Sequence, residues 1–413
     1  MKQRLTIRSS LSLALVAAAC GGGEPVTVAM IGDPLPGLTA EQRAHFDEGL
    51  LLFNRVFTPE EGLGPLFNDN QCSACHTSPA TGGTGDQFVT RMSRTLPDGT
   101  CDPLIAEGGE NVRLRSTPAL RALGVQRQSA PADATDTVHF NVPFVFGMGL
   151  IEAIPESEIR SRVDPDDSDG DGISGRPGVA GDGRFARFGR LADQPTLRDF
   201  IEHAALMEMG LTTPSRPRDT IAEALAEALL QADSRSTDVA FATDGAAALI
   251  TDPAADPELS EADVALLLDF MRFLAPPPRR LPDDETQRAM ITRGEALFAE
   301  VGCSSCHVPT MRTGRQDIAA LDRRTIALYS DLLLHDMGPD LSGACTPAAS
   351  RTERRTEPLM GLGSRSSYLH DSRTNDLTEA ILMHGGEATL VRERFRALPE
   401  LDRHGLIRFL QSL

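Results

Sequence analysis

The chain contains no tryptophan, only two tyrosines and one lysine, Lys2. Without an indole, no reaction that passes an electron hole through tryptophan is open to it. Its one lysine lies in the N-terminal leader described below, so Schiff-base and phosphate-cradling lysine chemistry are excluded from the mature chain. Basic residues are also short, 40 against 59 acidic. The net charge of −19 becomes three units more negative once Lys2, Arg4 and Arg8 leave with the leader. Nucleic acid is therefore not an expected partner. Such a surface suits solubility, or the steering of a basic electron carrier.

The leader has basic residues, then an apolar stretch from Leu11 to Ala19 that is too short to span a bilayer, then Cys20 and three glycines. This predicts an export signal over residues 1–19. Ala17-Ala18-Ala19-Cys20 is similar to a bacterial lipobox, which would make Cys20 a lipidated first residue and residues 20–38 a tether. The expected location is exported, periplasmic or on the outer membrane as a lipoprotein, with the membrane as partner through the lipid. Simple secretion is the alternative.

Of seven cysteines, four fall in two Cys-x-x-Cys-His units, Cys72, Cys75 and His76, then Cys303, Cys306 and His307. Two thiols at this spacing meet the two vinyl groups of one haem, and the adjacent histidine turns back to the iron. A zinc site or a redox thiol pair is the competing reading, but each unit offers three ligands and no obvious paired partner. Export and repetition favour two covalently bound haem c groups, with His76 and His307 as iron ligands. Cys101 and Cys345 remain, one in each half, and sequence leaves their pairing open.

Apolar spacing predicts a helix from Thr39 to Phe57, with Thr39 and Gln42 as a capping pair, leading to the first unit. Ala289 to Val301 repeats this before the second, and both copies contain Gly-x-x-Leu-Phe, at Gly49 to Phe53 and Gly294 to Phe298. Between them an amphipathic helix over 260–274, capped by Ser260, stops at three prolines. Strand-like alternation is sparse. The expected fold is mainly α, two cytochrome c-like haem domains with long loops. The first is enlarged by insertions over residues 39–275, a Pro-rich linker covers 276–284, and the second occupies 285–413.

Asp167-x-Asp169-x-Asp171-Gly172 matches the first half of a calcium loop, in which alternate oxygens wrap one hard cation. The closing glutamate is absent at Gly178, leaving Asp164 or Asp182 to complete a shell. One calcium ion is expected here, with a solvated acidic loop as the alternative.

The runs Leu328 to Pro339, Arg355 to Gly363, Tyr368-Leu369-His370-Asp371 and Ile381 to Ala388 resemble the di-haem oxidoreductase family. They are more distantly similar to bacterial di-haem cytochrome c peroxidases and methylamine-utilisation di-haem enzymes. Phe146 to Pro155 and the acidic stretch Asp164 to Arg176 extend the resemblance over nearly all of the mature chain. It implies His384 as the distal ligand of the second haem, with Met337 as alternative, and His335 and His370 hydrogen-bonding near that haem. For the first haem it implies Glu208 as acid/base residue, Glu152 as second candidate, and His203 assisting Glu208 or closing the iron. Met209 is a further possible ligand. Where the family commonly has a tryptophan this chain has Arg190, which leaves Tyr329, Tyr368, the haem propionates or direct tunnelling as electron routes.

The implied function is reduction of hydrogen peroxide or a related oxidant at the first haem. Electrons would enter through the second from a small donor protein of cytochrome c or cupredoxin type. The alternatives are a non-enzymatic electron-transfer cytochrome and an oxygenase on the same scaffold.

Overall fold

The computed structural model describes residues 29–104, 111–223 and 253–413; the leader and the lipobox lie outside them. Helix α1 is Ala40–Phe53 and begins on the expected capping box, with Gln42 N–H donating to Thr39 Oγ1 at 3.2 Å and Thr39 N–H to Gln42 Oε1 at 3.0 Å. Four strands follow: β1 Phe88–Thr95, β2 Cys101–Asp102, β3 Asn111–Val112 and β4 Asp136–Asn141. Helix α2 is Leu197–Ala204, α3 is Glu261–Phe273 and α4 is Glu285–Val301. The chain ends with α5 Leu377–Leu382, α6 Thr389–Ala397 and α7 Glu400–Leu410.

Helices cross in two pairs, α1 on α3 and α4 on α7. The glycine of each Gly-x-x-Leu-Phe repeat sits at a crossing. A Cβ at Gly49 would collide with the carbonyl oxygen of Leu266 in α3, and one at Gly294 with that of Gly405 in α7. Only a residue without a side chain lets two helix backbones come this close. The phenylalanine of each repeat then faces a motif histidine, Phe53 with His76 at 5.8 Å between ring centroids and Phe298 with His307 at 6.4 Å.

The expectation of a mainly α fold built from two cytochrome c-like domains is overturned. Among the described residues twelve short strands form five small antiparallel sheets alongside the helices. The largest has β1 at its centre, paired with β2, β3 and β4, the last over Phe88–Ser93 against Asn141–Asp136. Most strands are two or three residues long, too short for an alternation to register in sequence. The longest pairing of β1 is with β4, more than forty residues downstream, and only the two-residue β2 is joined to it by a short hairpin turn, at residues 96–100. The apolar cores follow the two motif units only in part. The main cluster joins Phe46, Phe53 and Phe270 to Leu328, Leu332 and Leu333 from beyond Cys303. A second cluster collects Phe298, Phe395, Leu406 and Phe409.

Cys101, in β2, forms a disulfide with Cys345, with Cα atoms 5.9 Å apart and 244 positions between them in sequence. It ties the four-stranded sheet to the C-terminal part. No helix among the described residues is long and apolar enough to cross a membrane.

Candidate functional site

Each Cys-x-x-Cys-His unit opens on its own cavity. Cys303, Cys306 and His307 line one of about 240 Å³, and Cys72, Cys75 and His76 line one of about 90 Å³. The four cysteines are free thiols. Burial pushes Cys72, Cys75 and Cys303 up to about 12 and raises Cys306. Reactive redox pairs lower a thiol pKa. These thiols are held protonated, which argues against the redox-pair reading.

The motif histidines are prepared as metal ligands. His76 Nδ1 donates to the Gly83 carbonyl at 2.9 Å and His307 Nδ1 to that of Tyr329 at 3.0 Å. A carbonyl only accepts, so in the neutral ring the proton is on Nδ1 and the lone pair on Nε2. Burial lowers His76, and burial with the neighbouring His384 pushes His307 down to about 4. Both rings are neutral at pH 7.

The far sides of the two cavities differ. His384 lines the larger one with the same preparation: α5 ends just before it, Nδ1 donates to the Ala380 carbonyl at 2.8 Å, and burial lowers its pKa. Met337 lines this cavity too, as do His335 and His370. His335 cannot act as a ligand in this state, because Nε2 meets Asp331 at 2.8 Å and Nδ1 meets Glu387 at 2.9 Å. Burial opposes its charge, but Asp331, Cys306 and Glu387 outweigh it and carry the imidazole up to about 12. Cys306 Sγ is 3.8 Å from Nδ1, so an imidazolium stands beside the motif. His370 packs edge-on to Phe140 at 5.6 Å, and burial pushes it down to about 3.

In the smaller cavity the polar groups besides the motif are Asp69, Gln71 and Glu208, and both carboxylates act on Cys75. After α2 the chain makes one wide turn, Ala205–Met209, which places Glu208 and Met209 in the lining. Wide turns of this kind are frequent at functional sites. Arg113, with no exposed surface, clamps the turn by donating to the carbonyls of Leu206 and Met207 at 2.7 and 3.2 Å while pairing with Asp219. Glu208 accepts from Asn68 Nδ2 at 2.6 Å and from Asn111 Nδ2 at 2.9 Å. The Asn68 amide is fixed the right way round because its oxygen accepts from Leu114 N–H at 3.0 Å. Burial raises the Glu208 pKa against these bonds.

The other candidates lie elsewhere. Glu152 lines neither cavity; it accepts from the first N–H of α2, Leu197, at 2.9 Å and faces Arg272 at 3.4 Å, so it anchors α2 to α3. His203 is outside the cavity lining but close enough to Glu208 to lower its pKa. Asp167, Asp169 and Asp171 bring carboxylate oxygens within 4.8 Å of one another on an exposed loop. Asp182 turns away to Arg184 at 2.7 Å, and Asp164 binds Ser168.

A family model described as "Di-haem oxidoreductase, putative peroxidase" matches residues 132–413. The chain belongs to that family. A di-haem protein has two groups to house, and among the described residues two cavities each carry two thiols and a neutral imidazole on their wall. The donor sets fit haem. No curated protein matches the chain. Among solved structures, it is similar to a Kuenenia stuttgartiensis hydrazine synthase under xenon, at 14% identity and TM-score 0.39 over 100% of both chains. It is also similar to a MauG-like protein associated with microbial copper homeostasis, at 15% and 0.39 over 94% of both. A third is the dihaem peroxidase BthA of Burkholderia thailandensis E264, at 15% and 0.37 over 94% of this chain and 95% of that one.

Sequence reading of the oxidoreductase missed Asn68 and Asn111, which hold Glu208 from loops far away in the chain. It also missed a group of buried arginines on the larger cavity. The doublet Arg354-Arg355, at the start of the run Arg355 to Gly363 and beside Glu357, was the available signal.

Proposed function

We propose that this di-haem oxidoreductase is an exported enzyme that reduces hydrogen peroxide or a related small oxidant at the first site, taking electrons through the second. The observation that carries the reading is the asymmetry of the cavities. One opposes His307 with a second neutral imidazole, His384, whereas the other faces His76 with the buried carboxylate of Glu208. An iron with two imidazoles is closed and suited to passing electrons, and one with a free face beside an acid/base group is suited to reacting. Covalent haem c at Cys72 and Cys75, and at Cys303 and Cys306, would supply the redox chemistry.

Peroxide takes up two electrons and two protons to give two waters. Glu208 is placed to accept a proton from one peroxide oxygen and return it to the other as their bond breaks. Asn68 and Asn111 hold the carboxylate for this, and the apolar walls from Phe53, Phe200 and Leu267 limit competing water. The donor is a small cytochrome c or cupredoxin-type protein, and a lipid on Cys20 keeps the enzyme at the membrane. A calcium ion at Asp167, Asp169 and Asp171 completes the proposal.

Met209 beside Glu208 favours a second reading, a pure electron carrier with both irons six-coordinate. Absorption and electron-spin spectra with a peroxide assay separate the two. High-spin haem in the resting or half-reduced protein, with turnover on a reduced donor, supports the enzyme. Two low-spin haems in every redox state and no turnover refute it.

A further inference from the structure

The larger cavity has one strongly cationic wall. Arg190, Arg354, Arg355 and Arg365 all line it, with Glu357 as the carboxylate among them. Arg355 and Arg365 donate to Glu357 at 3.0 and 3.1 Å, and Arg190 lies 3.4 Å from it. Burial alone would raise Glu357, but Arg190, Arg355 and Arg365 outweigh it and hold the carboxyl at about 2. That carboxylate is therefore already committed to three guanidiniums.

Arg354 has no share in it. Its Nη1 donates to a backbone carbonyl, while Nε and Nη2 are buried without a hydrogen-bond partner, as is Nε of Arg190. Arg354 is 8% exposed. Burial, with Arg190 and Arg91 nearby, pushes it down to about 10, which leaves it charged at neutral pH. Leaving buried cations uncompensated is strongly unfavourable, and a guanidinium fork fits a carboxylate with two parallel hydrogen bonds. On the cavity wall itself four cations meet one carboxylate, with Asp371 acting on Arg354 and Asp331 and Asp193 on Arg355 from outside the lining, and the unpaired nitrogens of Arg354 and Arg190 leave room for further acceptors.

We propose that Arg190, Arg354, Arg355 and Arg365 form a seat for a pair of carboxylates, those of the propionates of the haem held at Cys303 and Cys306. The inference rests on the haem reading above. A haem carries its two vinyl groups and its two propionates on opposite edges, so a cavity with thiols on one part of its wall and surplus guanidiniums on another matches both ends of the molecule. Such a seat would fix the rotation of the ring in its plane and offset the propionates' negative charge, which would favour the reduced form.

The test uses the full-length protein made in a host that attaches haem c, with Arg354→Gln, Arg190→Gln and the charge-keeping Arg354→Lys. Haem content is measured per chain, and each haem is titrated spectroscopically against potential, with and without added phosphate. We expect two haems per chain in every variant. In each Gln variant the reduced-to-oxidised ratio of the second haem should fall about tenfold at fixed potential, a downward shift of about 59 mV for one electron. Arg354→Lys should recover part of that shift, and phosphate should change nothing in the parent. Two haems with unmoved potentials in both Gln variants overturn the seat. A phosphate-dependent potential in the parent would assign the cluster to a free anion instead. A parent chain lacking haem at the second unit defeats the underlying reading itself, and with it this one.

Discussion

Replacing Glu208 by Gln removes a proton carrier and little else. Side-chain length and volume are kept, and the cavity wall is unchanged. One of the two asparagine amides, Asn68 or Asn111, loses its acceptor and meets an amide NH2, which costs about 1–3 kcal/mol in a buried site. The fold tolerates that. If Glu208 moves the proton between peroxide oxygens, kcat/KM should fall roughly 10²–10⁴-fold, about 3–5 kcal/mol of barrier. Haem content and the spectrum of the second site should stay as they were. The pH profile gives an independent sign. Burial raises the Glu208 pKa above that of an ordinary glutamate, and the base must be ionised. The parent rate should therefore rise with pH through that raised value, and the Gln variant should lose this limb. Steady-state peroxide turnover with a reduced donor between about pH 4 and pH 8 measures both. A variant that keeps its rate and its acid limb would refute the assignment.

His384→Gly should open the second iron, converting its low-spin spectrum to high-spin while both haems stay attached; an unchanged spectrum would pass the role to Met337. Gly294→Ala places a methyl group on the Gly405 backbone, so the usual gain of about 1 kcal/mol for alanine in a helix should be exceeded by overpacking of about 1–3 kcal/mol in denaturant unfolding. Cys101→Ser, which reopens a loop of 244 residues, should lose up to about 5 kcal/mol on the chain-entropy model, seen as a lower midpoint in the same assay. If calcium sits at Asp167, Asp169 and Asp171, a chelator should lower the unfolding temperature of the parent and leave an Asp169→Asn, Asp171→Asn double variant unaffected.

The parts of the site that could be read from sequence are those whose chemistry is local. A haem motif is five consecutive residues, and a capping box such as Thr39 with Gln42 is four. Gly49 and Gly294 were visible as a repeat, but their purpose was not. That a glycine marks a helix crossing depends on a partner helix more than a hundred positions away in each case. Glu208 came from resemblance; its environment did not, since Asn68 and Asn111 meet it only through the tertiary fold. The sheets were missed for the same reason. Strand β1 draws its pairing from β4, and two-residue strands have no period to detect. The place of Glu152 was not legible, because a glutamate in such a motif reads alike whether it touches a cavity or, as here, the first N–H of a helix.

The bond between Cys101 and Cys345 has a consequence for how the protein is made. Apart from Cys20, six cysteines lie beyond the leader, and six thiols can join in fifteen ways. Under the proposed export, all of them meet the same oxidant on emerging. Cys72 and Cys75 emerge early with only two residues between them, a ready partner for each other, whereas Cys101 must wait for nearly the whole chain. The pair that should oxidise is thus the slowest to meet, and the pairs that should stay reduced are the fastest. If haem is attached at these thiols as proposed, biogenesis would need a reductant that acts on neighbouring thiols until haem is in place, and spares a disulfide sealed in the folded core.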